Sequence, residues 1–317
     1  MMENLGSIAV APLMGLPGIT LSKTTVKDNF ENADVQFRSL ALLYERYHPD
    51  AMFTMMDLSL EAEACGIEIM KPENRGFSVR HHPVKKIDDL RNLKSPNPLH
   101  EGRMPMALKV IENMSKHFDC TNIAYVIGPF TLACLLAGAS YAIRSVLKDK
   151  DFLAHILHYS KRVIYGFAKA LSENGANIIC VLEPSAGALS PEQFKANSAV
   201  YIKEIIDGLT VPVILHICGD TNVLLDEMVG TNCWGISIDS QVSVKHAVEQ
   251  IPKDLYLFGN IDPVNILAYG DFNEIDTAVL ELREMANKRE NYVISSGCDL
   301  PMDTNIDNLD HFFKCFE

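Results

Sequence analysis

Val211-Pro212-Val213-Ile214-Leu215 leads directly into His216-Ile217-Cys218-Gly219-Asp220. The first five residues are dominated by Val, Ile and Leu and read as a strand covered on both faces, with Gly219 opening the loop beyond it. Seven further short runs have the same character: Ile8–Leu13, Ala51–Met56, Ala124–Ile127, Asn177–Leu182, Trp234–Ile238, Leu255–Phe258 and Tyr292–Ser295. Helical patterns lie between most of them. In Phe152–Asn174, apolar residues recur at Leu153, Ile156, Leu157, Val163, Ile164, Phe167 and Leu171. Pro191–Asp207 opens with Ser190 as N-cap and Pro191 at the first helical position, and Asn222–Val229 and Val242–Gln250 are shorter versions. Strands alternating with helices predict a parallel α/β sheet, and eight of them predict closure into a TIM (β/α)8 barrel. No linker divides the chain, so residues 1–317 are expected to form a single domain. The polar stretch Met70–Met104, with Pro72, Pro83, Pro96 and Pro98, is expected to be an irregular excursion over one barrel end.

Composition narrows the class. Of 317 residues, 48% are hydrophobic and 22% charged, which excludes disordered, collagen-like and coiled-coil chains. Lys and Arg number 28 against 41 Asp and Glu, and a net charge of -13 repels phosphate backbones, so no nucleic-acid partner is expected. Met1-Met2-Glu3-Asn4 lacks the basic and apolar regions of a signal peptide, and eight scattered cysteines do not make a disulfide scaffold. A cytoplasmic protein with reduced thiols is the expectation. The uncharged stretch Ile123–Ile143 has the length of a membrane span, but Gly128-Pro129 breaks it. It reads as a buried strand followed by a buried helix from about Thr131, with no membrane contact.

A barrel places its reactive side chains just past the C-terminal ends of its strands. Asp57 follows the second run, Glu183 the fourth, His216 and Cys218 the fifth, Asp239 the sixth, Asn260 and Asp262 the seventh, and Cys298 the eighth. In an extended segment His216 and Cys218 point to one side, and the loop after strand eight brings Cys298 to the same mouth. An imidazole and two thiolates suit Zn2+, with a position left for substrate or a carboxylate. Glu183 is the first candidate for that further ligand and Asp239 the second. The competing reading is two small core cysteines and a hydrogen-bonded histidine. Asp57, Glu183 and Asp239 are the candidate catalytic carboxylates, and Asn260 and Asp262 the candidate substrate-binding residues. Glu61 and Glu63 are expected to cap a helix or face solvent, with lining of the site as the alternative, Arg80, His81 and His82 to be solvated, and the remaining cysteines to pack. Neither a phosphate-cradling glycine loop nor a nucleophile elbow is present.

Leu215-His216-Ile217-Cys218-Gly219-Asp220-Thr221, Gly259-Asn260-Ile261-Asp262-Pro263 and Ser296-Gly297-Cys298-Asp299-Leu300-Pro301 resemble the corrinoid methyltransferase branch of the uroporphyrinogen decarboxylase superfamily, most closely its methylcobamide:coenzyme M methyltransferases. Glu183-Pro184-Ser185-Ala186 and the segment from Met56 to Glu63 also fit that branch. The resemblance spans nearly the whole chain and implies a TIM barrel with His216, Cys218 and Cys298 as zinc ligands. It implies methyl transfer from a methylcobamide, delivered by a methylated corrinoid protein, to a small thiol substrate such as coenzyme M. A tetrahydrofolate acceptor is the alternative. Uroporphyrinogen decarboxylation is disfavoured: the stretch matching that enzyme's arginine motif is Leu13-Met14-Gly15-Leu16-Pro17-Gly18, and Cys134 and Cys298 fall where it carries a tyrosine and a histidine.

Overall fold

The computed structural model of the chain describes residues 9–317. Its main sheet contains β1 Ala9–Val10, β2 Ala51–Phe53, β3 Thr121–Ile127, β4 Ile178–Leu182, β5 Val213–Ile217, β6 Gly235–Ile238, β7 Tyr256–Ile261 and β8 Tyr292–Ser296. The order is β1-β8-β7-β6-β5-β4-β3-β2, and every ladder is parallel. This is the α/β barrel that the alternation predicts. Asp50 bridges the seam between β1 and β2: its N–H donates to the Val10 carbonyl at 3.0 Å, and its Oδ2 accepts from the Val10 N–H at 2.7 Å.

Strand ends depart from expectation where polar residues enter. Ile8 lies outside the described residues, and β1 stops well short of Leu13. β5 runs on to Ile217 and β7 to Ile261, so His216 and Asn260 lie inside strands rather than beyond them. A ladder is made by backbone groups and is indifferent to side-chain polarity. Register continues from Leu182 opposite His216 to His216 opposite Ser237.

Period-two alternation splits the core into two layers. One set faces the barrel interior, including Phe53, Ile123, Tyr125, Cys180, Ile214, Phe258 and Val293, with Phe53 and Tyr125 stacked at 5.4 Å. The other set faces the surrounding helices. The long helix Lys150–Glu173 is capped by Asp149 and buries Phe152, Ile156, Leu157, Val163, Ile164 and Phe167 along one stripe. Each such side chain contributes about 2 kcal/mol of burial. The helix opening at Pro191 has its Ser190–Gln193 capping box, but a π-helical turn at Lys195–Ala199 separates its first turn from Val200–Gly208.

The uncharged stretch forms β3 and then the buried helix Pro129–Ala137, which turns by 109° at Gly138 into Ala139–Lys148. The helix starts at Pro129 rather than Thr131 because proline is tolerated in a first turn, where its missing N–H has no partner to lose. Among the described residues, no single helix is long and apolar enough to cross a membrane. The excursion holds a two-stranded antiparallel pair, Ile69–Met70 with Ser78–Val79, and a 3-10 segment, Ile87–Asn92, before Met104–His117 returns to the barrel wall.

The seam makes a direct prediction. Asp50→Ala removes the acceptor of the Val10 N–H and should lower the free energy of urea unfolding by about 1–2 kcal/mol, with Asp50→Asn recovering part of the loss.

Candidate active site

His216 projects from β5 on the same side as Ile214, into the upper part of the barrel interior, and is 2% exposed. Ser237, its neighbour across the β5–β6 ladder, lies 3.0 Å from Nδ1. Nε2 is buried without a hydrogen-bond partner. Desolvation lowers the His216 pKa to about 4, opposed by the nearby Asp239 charge, so the ring is neutral at neutral pH. A neutral imidazole fixed at Nδ1 with Nε2 free has the state and orientation of a metal ligand.

Cys218 and Cys298, both half-buried, lie close enough for each thiol to act on the other's proton. Their proximity lowers the Cys218 pKa and raises that of Cys298, burial adding to the rise at Cys298. Asp239 is buried close enough for its charge to act on both His216 and Cys218. Its Oδ1 accepts from the Gln241 N–H at 2.9 Å, while Oδ2 takes no part in that bond. The structure thus gathers His216, Cys218, Cys298 and Asp239 at one rim. The set is open: Nε2 and the two sulfurs do not all lie within 4.8 Å of one another. Backbone contact fixes the spacing of the two outer loops, because a Cβ at Gly297 would stand 2.2 Å from the Ser240 nitrogen.

Glu183 does not offer the free lone pair that a further ligand needs. It is fully buried, and its oxygens accept from the N–H groups of Phe130 at 3.1 Å and Thr131 at 2.6 Å and from the Ser198 hydroxyl at 3.0 Å. The carboxylate occupies the N-terminus of helix Pro129–Ala137, where exposed N–H groups and the helix dipole favour negative charge. Gly128 leaves the space for it, since a Cβ there would come within 2.2 Å of Glu183 Oε2.

The other expected residues are also engaged. Asp57 Oδ1 accepts from the Ser59 N–H and hydroxyl, and Oδ2 pairs with Arg103, a buried cation absent from the sequence reading. Arg103 also pairs with Glu63, which binds Lys71 at 2.7 Å, so Glu63 belongs to an ion-pair network rather than to solvent. Asn260 donates its amide protons to the carbonyls of Asp239 and Val242, at 2.9 and 2.8 Å. Asp262 Oδ1 accepts from the Val264 and Asn265 N–H groups, capping the turn that follows β7.

Two polar groups, Tyr125 and Asp299, went unread in the sequence, and a third, Glu61, is buried rather than capping a helix or facing solvent. The Tyr125 hydroxyl is buried without a partner; its pKa is raised chiefly by burial and further by Asp299, Cys180 and Cys298. Asp299, beside Cys298, is pushed well above the usual carboxylate range by desolvation. Glu61 is buried; Oε1 accepts from the Ile127 N–H at 2.8 Å, and Oε2 has no partner. Glu61 lines a cavity of about 30 Å3 with Thr54, Asp57 and Tyr125. Adjacency to Asp57 and Cys298 was the available signal for Glu61 and Asp299, and period two along β3 for Tyr125.

Fold and site define a (β/α)8 barrel that presents soft donor atoms at the C-terminal rim of its strands. The uroporphyrinogen decarboxylase (URO-D) family pattern matches residues 18–317, and the chain belongs to that family. It is 28% identical, over 96% of its length and 93% of the relative, to methylcobamide:CoM methyltransferase MtbA of Methanosarcina acetivorans. It is 25% identical to a uroporphyrinogen decarboxylase of Prochlorococcus marinus, over 91% of this chain and 85% of the other. The solved structure of a methyltransferase from Methanosarcina mazei shares the fold, with TM-score 0.90 and 23% identity over 98% of this chain and 94% of that one.

Glu61 gives the site a titration signature. Burial raises its pKa from 4.5 to about 7, with Asp57 adding to the rise. The folded chain therefore holds this proton more tightly than the unfolded chain. The resulting stability is fully present below the ordinary carboxyl range and is lost as pH rises through about 7. Glu61→Gln retains an acceptor for Ile127. The unfolding free energy of the wild type should fall relative to this variant between about pH 4.5 and 7, by up to roughly 3 kcal/mol. Parallel pH courses for the two proteins would contradict this assignment.

Proposed function

We propose that the chain is a zinc-dependent methyltransferase that moves a methyl group from a methylated corrinoid, carried on a separate protein, to a small thiol, with coenzyme M the first acceptor to test. The observation that carries the reading is the buried, unpartnered Nε2 of His216 on the strand that leads into Cys218, with Cys298 paired to Cys218 at the same rim. Likeness to a methylcobamide:CoM methyltransferase supports the donor and the acceptor. The donor set fits zinc: one neutral imidazole, two neighbouring sulfurs and a nearby carboxylate. Bound zinc would supply a Lewis-acid centre that holds an acceptor sulfur as thiolate at neutral pH.

The remaining work falls to the chain. His216 presents Nε2 because Ser237 occupies Nδ1. Cys218 and Cys298 provide the two soft donors, and loss of both thiol protons to solvent would give the site the two negative charges that balance a divalent ion. Asp239, with Oδ2 outside its loop hydrogen bond, is the carboxylate we assign, in place of Glu183, as the further donor that an acceptor sulfur would displace. Asn260 holds the Asp239 loop in position through two carbonyls. The Tyr125 hydroxyl and Asp299 border Cys298 and would face an acceptor seated there. The methylated corrinoid protein would dock on the open mouth. Decarboxylation of uroporphyrinogen is not proposed, because residues 13–18 contain no arginine and Leu13 and Met14 are buried.

Metal content after dialysis, followed by methyl transfer from free methylcobalamin to coenzyme M, other thiols and tetrahydrofolate, tests the reading. His216→Ala and Cys298→Ser should each lose most of the zinc and at least about 100-fold in rate. Full metal and activity in Cys298→Ser would sink the site assignment, and transfer to tetrahydrofolate but to no thiol would sink the acceptor. Ser237→Ala leaves every proposed donor in place and frees Nδ1. It should weaken zinc binding about 10- to 100-fold, read by competition with a chromophoric chelator.

A further inference from the structure

Away from the rim, another group of donor atoms lies closer together than the rim set. Helix Phe272–Ala286 carries Asp276; helix Ile306–Lys314 carries His311 and ends at Cys315. One carboxylate oxygen, one imidazole nitrogen and the sulfur all lie within 4.8 Å of one another. Among the described residues, this is the group of three such donors that meets that limit. His311 Nε2 is 2.8 Å from Asp276 Oδ1, and Cys315 Sγ is 3.5 Å from the same oxygen.

The arrangement follows from helix geometry. Residues 311 and 315 are four apart and share a face, and Asp276 meets them from the facing helix. Two contacts hold the donors in place without using their donor atoms. The His311 ring stacks on Phe272 with centroids 4.2 Å apart and planes at 10°, and Arg283 donates to the Cys315 carbonyl at 2.6 Å. Asp276 is exposed and the other two are partly buried, so an ion has access from solvent.

We propose that Asp276, His311 and Cys315 form a second divalent-metal site, selective for borderline ions such as Zn2+ and Co2+, that fastens the C-terminal helix to its neighbour. Imidazole, thiolate and one carboxylate suit these ions, whereas Mg2+ and Ca2+ take oxygen shells. On binding, the Cys315 S–H bond is exchanged for a metal–sulfur bond and the proton passes to solvent. The thiolate and carboxylate then balance the divalent charge, and a water fills the fourth position. The proposal does not rest on the methyltransferase reading, because none of its residues lies at the rim.

The test is Co2+ titration of the full chain after chelator treatment, following metal bound per chain and the sulfur-to-cobalt charge-transfer band. Cys315→Ser should lose one equivalent and the matching part of the band. Cys218→Ser/Cys298→Ser should retain that equivalent. Asp276→Asn, which keeps side-chain volume, should lose the part of the cobalt-induced rise in unfolding midpoint that Cys315→Ser loses. Equal cobalt uptake and equal band intensity in the wild type and Cys315→Ser would overturn the proposal, and the Asp276→Asn comparison decides it even if the double variant does not fold.

Discussion

Because the eight strands run in one direction and the sheet returns on itself, their C-terminal ends share one rim, and side chains distant in sequence become neighbours there. Asp50 completes the ring where β1 is only two residues long, standing in with its side chain for a ladder that two residues cannot supply. From that closure comes the meeting of Cys218 with Cys298 and of His216 with Asp239, and of Glu183 with a helix that starts one strand earlier. Period two along each strand then decides which polar groups enter the interior and which go to the helices.

The rim separates committed polar atoms from uncommitted ones. Glu183, Asp262, Asn260 and Asp57 each have oxygens or amide protons engaged in capping a helix or turn, tying a loop or holding Arg103. The His216 Nε2, the Tyr125 hydroxyl and the Glu61 Oε2 are buried with no such engagement. Leaving a polar group unpaired in the interior costs about 1–3 kcal/mol. Of these three, Tyr125 lies close enough to Cys298 for their charges to interact.

Much of this was legible in the sequence, for physical reasons. Strands buried on both faces declare themselves as short runs of Val, Ile and Leu, and the His216-Ile217-Cys218 alternation fixes a shared face once the segment is known to be extended. The side-chain partners were not legible. Glu183 looks like Asp239 in sequence, each an acid just after a strand, and only the position of the Phe130 and Thr131 N–H groups separates a cap from a free carboxylate. Arg103 lies at the far end of a long irregular excursion, and no local pattern predicts that it returns to Asp57. Strand ends were misjudged for a related reason: polarity marks the end of a hydrophobic run, not the end of a hydrogen-bonded ladder.

The backbone approach of Gly297 to Ser240 divides the mouth mechanically. Together with the Asn260 cross-ties, it links the loops after β6 and β8 to strand β7. The opposite sector, where the 70–104 insertion returns, is held by the Arg103 and Lys71 ion pairs. A displacement of either loop tied to β7 is therefore passed to the other, so Cys298 and Asp239 share one frame.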